Sequence, residues 1–158
     1  MSEPASTTTP VVVAVDEQAA IEVDLDRWSA LATASFIDRG VAAGECNLLF
    51  VDEPTIQELN LEHRGKDRPT DVLSFPLDGA DADHPDDLIG DIVICPTVAA
   101  ANAPEHAGQD HHTGTLDDEL GLLVVHGVLH LLGHDHEDDD EAEAMEALEQ
   151  ALLAAHLR

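Results

Sequence analysis

Hydrophobic and polar positions along the chain predict four short strands that alternate with helices. Apolar runs are typical of buried strands, and they lie at residues 11–15, 46–51, 72–77 and 88–95. Pro76 marks the third run as an edge strand or a strand end. Apolar residues at helical spacing follow at residues 96–103, 116–132 and 139–157. This alternation indicates a single α+β domain with an α/β-like arrangement.

Two further helices are delimited by capping residues between the first three strands. Asp24 or Asp26 can cap the first helix, which ends near Gly40. Asp52 can cap the second helix, and Gly65 marks its end. Every predicted strand before the last is therefore followed by a helix or by a turn-rich segment.

The chain length fits one domain. The protein has 158 residues, and a domain takes roughly 150. We expect a flexible tail at residues 1–10, which are rich in Ser, Thr and Pro, followed by one domain at residues 11–158. Within that domain, the Gly- and His-rich stretch at residues 105–115 is expected to be a mobile connection.

No segment predicts export or membrane insertion. The first residues lack the basic region of a signal peptide, and no apolar run approaches the ~20 residues that cross a bilayer. Cys46 and Cys95 lie in apolar segments and form no CxxC pair, which is typical of buried free thiols in a reducing compartment. We therefore predict a cytoplasmic protein.

The charge balance restricts which partners the surface attracts. The chain has 34 acidic and 6 basic residues, a net charge of −28 with neutral histidines. Such a surface repels nucleic acid and anionic membranes. A DNA-coating protein and a polybasic membrane binder are excluded, and a polyanionic substrate has to bind at a local exception.

Histidines in one apolar segment predict a metal site. His126 and His130 are four residues apart, which on a helix places them about 40° apart around the axis and roughly 6 Å along it. A straight helix would carry His136 roughly 15 Å from His126, too far for one ion. Gly133 tolerates the left-handed conformation that ends helices and so lets the chain return His136 to the same face. His134 is the alternative third ligand.

The spacing of these residues favours a catalytic zinc site without a peptidase mechanism. Offsets of +4, +7 and +10 match the long metzincin motif, and three imidazoles leave one position open on a zinc ion. Zinc peptidases place a general-base Glu directly after the first histidine, where this chain has Gly127. Zinc still lowers the pKa of water toward ~7, so another hydrolysis is expected.

Three of the six basic residues lie close together at Arg64, Lys66 and Arg68. This cluster is the one local reversal of sign in an acidic chain. Arginine grips phosphate in a bidentate manner and stabilises negative charge in a transition state. If the fold brings this cluster to the histidines, attack on a phosphodiester is indicated.

Together, three motifs resemble the YbeY family of endoribonucleases. They are HGVLHLLGHDH at residues 126–136, HRGKDRPTDVLSFP at residues 63–76 and IGDIVIC at residues 89–95. The resemblance extends over residues 11–157. It implies a mixed, mostly parallel four-stranded sheet with helices packed on it and a zinc cleft beside the histidine helix.

The resemblance also implies an activity and the residues that perform it. His126, His130 and His136 would hold one zinc ion per chain, and Arg64 would be the catalytic arginine. The implied activity is cleavage of single-stranded RNA in 3′-end maturation of small-subunit (16S) ribosomal RNA and in ribosome quality control. The implied partners are ribosomal RNA, the small ribosomal subunit and ribosomal proteins. Lys66 and Arg68 are then expected to bind the substrate strand.

Other charged and imidazole side chains receive a plainer interpretation. We interpret the acidic stretch at residues 137–149 as a solvated helix face rather than a cation-binding tract. The general base stays open between Asp135 and Asp71. The remaining histidines are expected in loops or on the surface, at His84, His106, His111, His112 and His156.

Two alternatives to a nuclease remain at this point. The first is a non-catalytic ribosome-assembly factor whose zinc orders the fold. The second is a divergent peptidase, which the glycine at position 127 disfavours.

Overall fold

The structure is a computed structural model that describes residues 9–109 and 111–157. Its strands are β1 (Val11–Asp16), β2 (Glu45–Phe50), β3 (Val72–Pro76) and β4 (Leu88–Ile94). Its helices are α1 (Leu25–Asp38), α2 (Glu53–Arg64), α3 (Pro96–Asn102), α4 (Leu116–Leu131) and α5 (Asp139–His156). These bounds confirm the predicted alternation of strands and helices.

The four strands form one mixed sheet in the order β1-β2-β4-β3. β1 pairs with β2 and β2 pairs with β4 in parallel, whereas β3 pairs with β4 antiparallel. β3 is therefore an edge strand, and Pro76 is its last residue. The predicted mixed, mostly parallel four-stranded sheet is confirmed.

Local capping explains where the first helices begin and end. Of the two candidate caps for α1, Asp24 is the one used, because its side chain accepts a hydrogen bond from the Arg27 amide. Asp52 caps α2 in the same way through the Thr55 amide. Gly65 then ends α2 in the left-handed conformation, with φ of 70°.

α4 is the central helix of the main hydrophobic core. Most of its residues are buried, and the core joins it to apolar residues of α1, β2, β4 and α5. Its C-terminal end approaches the sheet at Gly90, where a Cβ atom would lie 2.7 Å from Leu131 Cδ2 and 2.6 Å from the Phe75 carbonyl oxygen. The absence of a side chain at Gly90 therefore lets the end of α4 lie directly beside β3.

Both cysteines are free and buried, as predicted. Burial, together with the nearby carboxylates of Asp91 and Glu45, raises the pKa of the Cys46 thiol to about 12. Cys46 is therefore a small apolar core residue rather than a reactive thiol.

Several expectations need correction or fall outside this structure. Residues 1–8 of the expected tail lie outside the described residues, while Pro10 is buried. Among the histidines at residues 105–115, His111 is exposed as predicted, but His112 is only 5% exposed. It is buried because it hydrogen-bonds a carboxylate of α4. In the described part of the chain, no helix is long and apolar enough to cross a membrane.

Candidate metal centre and substrate cleft

α4 presents His126 and His130 on one face near its C-terminal end. They are one helical turn apart, and their ring centroids are 4.6 Å from each other. Both side chains are half-buried. Helix geometry alone produces this pair, as the sequence predicts.

Gly133 turns the chain back and delivers His136 to the same place. Its φ is +95°, its amide donates to the His130 carbonyl at 3.0 Å, and the His134 amide donates to the Leu129 carbonyl at 3.0 Å. These two bonds define a Schellman motif, in which a left-handed residue ends the helix. The prediction of a helix break at Gly133 is confirmed.

The three predicted ligands converge after this turn. The His136 ring centroid lies 5.6 Å from that of His126 and 5.2 Å from that of His130. One ring nitrogen from each residue lies within 4.8 Å of the other two. His134, the alternative ligand, is not part of this group.

A carboxylate that sequence reasoning missed holds one of these imidazoles. Glu149 of α5 forms a short hydrogen bond through its Oε2 with Nδ1 of His126. The prediction of a solvated helix face at residues 137–149 is wrong for Glu149, which is only 8% exposed. Its spacing indicates a buried position, because it lies four residues after Met145 and three before Leu152, both of which are buried. A glutamate on the inward stripe of a helix requires a polar partner.

The donor set fits a divalent transition-metal ion. Burial, followed by the neighbouring imidazoles of His126 and His136, holds the pKa of His130 below its ordinary value. A neutral imidazole offers the lone pair that a metal needs. Because Glu149 occupies Nδ1 of His126, Nε2 is the nitrogen left for an ion. Three imidazole nitrogens suit zinc and related ions better than magnesium or calcium.

A cleft of about 800 Å³ joins the histidines to Arg64. Arg64 is the last residue of α2, and it lines this cleft together with His126, His130 and His136. The fold therefore brings the two distant motifs together. Lys66 and Arg68 are exposed in the loop after α2 and do not line the cleft.

The cleft is also lined by aromatic and acidic side chains. The rings of His63 and Phe75 lie 4.8 Å apart at a tilt of 58°, and both line the cleft. Asp71 and Asp135, the two candidate bases, line it as well. The His136 amide donates to Asp135 Oδ1 at 2.7 Å, and this bond is the main cause that lowers the pKa of Asp135.

Gly127 is packed too tightly for the side chain that a zinc peptidase carries there. A Cβ atom at this position would lie 2.8 Å from Cγ2 of Ile92 on β4. A side chain at this position would therefore require Ile92 or α4 to shift. The close approach explains the glycine and argues against a hidden peptidase mechanism.

Comparison with known proteins assigns the chain to a family. The family model described as Endoribonuclease YbeY matches residues 14–156. The chain belongs to the YbeY family. A protein of Salinispora tropica named Endoribonuclease YbeY is 42% identical over 154 residues, covering 90% of this chain and 94% of that protein. Its counterpart in Paramagnetospirillum magneticum is 45% identical over 139 residues, covering 85% and 80%.

A solved structure supports the fold of this YbeY family member. The solution structure of a Thermotoga maritima protein matches with a TM-score of 0.60 and 30% identity, covering 90% of this chain and 86% of that one. The predicted resemblance and the α+β fold are confirmed. YbeY proteins are named endoribonucleases, hydrolases that act on RNA, so the enzyme class is confirmed too. The roles of single residues and the identity of the metal stay predictions.

Proposed function

We propose that this chain is a zinc-dependent endoribonuclease that cleaves single-stranded RNA. Its proposed task is to mature the 3′ end of small-subunit (16S) ribosomal RNA and to take part in ribosome quality control. The observation that carries the proposal is that Arg64 and the three converging histidines line one cleft. The proposed partners are the small ribosomal subunit and ribosomal proteins, and the proposed location is the cytoplasm.

The histidine cluster supplies the site for the metal. His126, His130 and His136 would hold one zinc ion and leave a coordination position open. When bound, such an ion polarises a phosphoryl oxygen and lowers the pKa of water toward ~7. The low pKa of His130 keeps that ligand neutral at physiological pH.

Arg64 supplies the positive charge that a phosphodiester requires. Its exposed side chain extends from the end of α2 into the cleft. A guanidinium binds two phosphate oxygens at once, and it stabilises the extra negative charge of the transition state. In a chain of −28, this local charge marks the place where RNA meets the protein.

The cleft also offers a surface for an unpaired base. The tilted ring pair of His63 and Phe75 presents aromatic faces beside Arg64. Bases stack on such faces when they are not paired in a duplex. This arrangement supports single-stranded RNA over double-stranded RNA as the substrate.

Two carboxylates are available to move a proton. Asp135 is held by the His136 amide, and its lowered pKa makes it a weak base at neutral pH. Asp71 lies in the same cleft, with Asn102 Nδ2 3.5 Å from its Oδ2. Either could accept a proton in the reaction, and comparing Asp71→Asn with Asp135→Asn separates them.

The test is cleavage of a small-subunit rRNA 3′ fragment by Arg64→Ala, with zinc content measured on the same protein. We expect cleavage to fall at least about 10²-fold, as for loss of one transition-state contact, with zinc unchanged. Arg39→Ala is the matched control, because Arg39 is exposed and follows α1 rather than the cleft. Wild-type protein that binds zinc and rRNA without cleaving it would instead support the assembly-factor alternative.

A further inference from the structure

Glu149 contacts the metal-site histidines from a different helix. Its Oε2 forms a short hydrogen bond with Nδ1 of His126, which is 23 residues earlier in the chain. Its side chain is 11% exposed, between Met145 and Leu152 on the buried stripe of α5. A carboxylate is costly to bury without a partner, so this placement commits Glu149 to His126.

We propose that Glu149 is a positioning residue for the metal and that it acts by selecting the tautomer of His126. An ionised carboxylate only accepts hydrogen bonds, so the proton of His126 lies on Nδ1. Nε2 then carries the lone pair and faces the other two histidines. A neutral imidazole of the opposite tautomer would present N–H to the ion instead. This inference rests on the proposed function only in taking the three histidines as metal ligands.

The other two imidazoles have no such anchor. In the described part of the chain, neither the ring of His130 nor that of His136 hydrogen-bonds a protein group, and each instead contacts the other rings edge-on or tilted. His136 is also exposed. The orientation of His126 is therefore the one that the protein sets before an ion arrives, and Glu149 sets it.

The bond also links metal binding to the docking of α5. Glu149 lies in the middle of α5 and His126 in the second half of α4. An ion bound at Nε2 of His126 would make the Nδ1–H a stronger hydrogen-bond donor. The bond to Glu149 would then be strengthened as well. We expect zinc to protect α5 against local unfolding, in addition to ordering the histidines.

The main experiment measures zinc affinity of the metal-free full chain by competition with a chelator. Loss of a carboxylate behind a metal-binding histidine weakens affinity by about 10- to 100-fold. We expect Glu149→Ala to show this loss and Glu149→Gln a smaller one, because the amide oxygen still accepts from Nδ1. Glu146→Gln, an exposed glutamate on the same helix, should bind zinc like wild type.

A second measurement separates positioning from simple loosening of α5. Leu148→Ala removes a partly buried residue that packs on the core beside Glu149, without touching His126. Equal zinc affinity in Leu148→Ala and Glu149→Ala would overturn the proposal. Imidazole ¹⁵N spectra of the metal-free protein should show the His126 proton on Nδ1 in wild type. In Glu149→Ala they should show a mixture of the two neutral tautomers.

These outcomes are distinguishable from failure of the proposed function. Wild-type affinity in Glu149→Ala, or an unchanged His126 tautomer, would overturn the positioning role even if RNA is cleaved. Conversely, a protein that cleaves no RNA but loses zinc affinity with Glu149 would keep the positioning role and end the nuclease proposal.

Discussion

Two histidine clusters lie along one stripe of α4. They differ in which imidazole nitrogens hydrogen-bond the carboxylate of the cluster. His126 and His130 belong to the cleft cluster with His136, whereas Glu119 of the same helix collects His106 and His112. Glu119 and His126 are seven residues apart, which is two helical turns and about 10 Å. In both clusters the possible ligand atoms lie within 4.8 Å of one another, so distance alone does not separate them.

Hydrogen-bond direction does separate them. In the second cluster, the Gly114 amide donates to Nδ1 of His112 at 3.0 Å, so that nitrogen carries no proton. Nε2 of His112 must then carry it, and it donates to Oε1 of Glu119 at 2.9 Å. The same oxygen lies 2.6 Å from Nδ1 of His106. Nε2 of His112, the nitrogen that would bind an ion, therefore already donates its proton to a hydrogen bond with Glu119.

The comparison shows that three possible ligand atoms lying close together do not by themselves define a metal site. In the cleft cluster, Glu149 hydrogen-bonds Nδ1 of His126 and leaves its Nε2 for an ion. In the second cluster, Oε1 of Glu119 accepts from Nε2 of His112 and lies 2.6 Å from Nδ1 of His106. We infer that the cleft arrangement favours an ion, whereas in the second arrangement the carboxylate already accepts a hydrogen bond from His112.

The largest effect is expected where the cleft cluster loses a ligand. His130→Ala should remove zinc from that cluster and lower RNA cleavage at least about 10²-fold, because a bound ion contributes several kcal/mol to such reactions. Metal content and cleavage are measured on the same sample, with His84→Ala, an exposed loop variant, as control. Full cleavage after chelation would remove the metal from the mechanism.

A smaller loss, confined to stability, is expected in the second cluster. His112→Ala deprives the buried Glu119 carboxylate of one donor, which costs about 1–3 kcal/mol of unfolding free energy. Zinc should stay at one ion per chain, as is expected for His84→Ala. Denaturant unfolding and metal analysis give the two readouts. Loss of one zinc ion in His112→Ala would show that the second cluster holds metal after all.

The helix break beneath the cleft cluster is testable with a matched pair of glycines. Gly133 and Gly40 have φ of +95° and +86°, and neither has an atom within 4 Å of a built Cβ. Alanine at either position costs about 1–2 kcal/mol, since an L residue is strained in that conformation. Only Gly133→Ala should also weaken zinc binding, because Gly133 directs His136. Equal zinc affinity in the two variants would contradict that role.

The smallest effect compares two glycines inside α4. At Gly127 a Cβ would lie 2.8 Å from Ile92 Cγ2 in the sheet, whereas at Gly121 it would lie 2.7 Å from the terminal Cδ1 of Leu157. The contacted Leu157 atom is the far end of a flexible side chain, whereas Ile92 is β-branched and lies in β4. We expect Gly121→Ala to be neutral or to gain up to about 1 kcal/mol of helix propensity, and Gly127→Ala to lose about 1 kcal/mol or more. Urea unfolding measures both, and a stabilised Gly127→Ala would disprove the tight contact with β4.

Features that depend on neighbouring residues were predictable from the sequence. The geometry of the cleft cluster follows from residue spacing alone, because helix rise and glycine conformation are local properties. The spacing concerned is that of His126, His130, Gly133 and His136. The caps at Asp52 and Gly65 and the four strands followed for the same reason. The spacing of Glu149 from Met145 and Leu152 also indicates a buried position, which the prediction of a solvated acidic face overlooks.

Contacts between distant segments were decided by the tertiary structure. Nothing in the spacing of Arg64 and His130 places them in one cleft; the order of the sheet and the packing of each helix against the strands do. The pairing of Glu149 with His126 likewise depends on how α5 packs on α4, and the pairing of Glu119 with His106 and His112 depends on how the preceding segment folds back on α4. Local chemistry therefore determined which residues could bind a metal, and packing determined which nitrogen atoms remain free to do so.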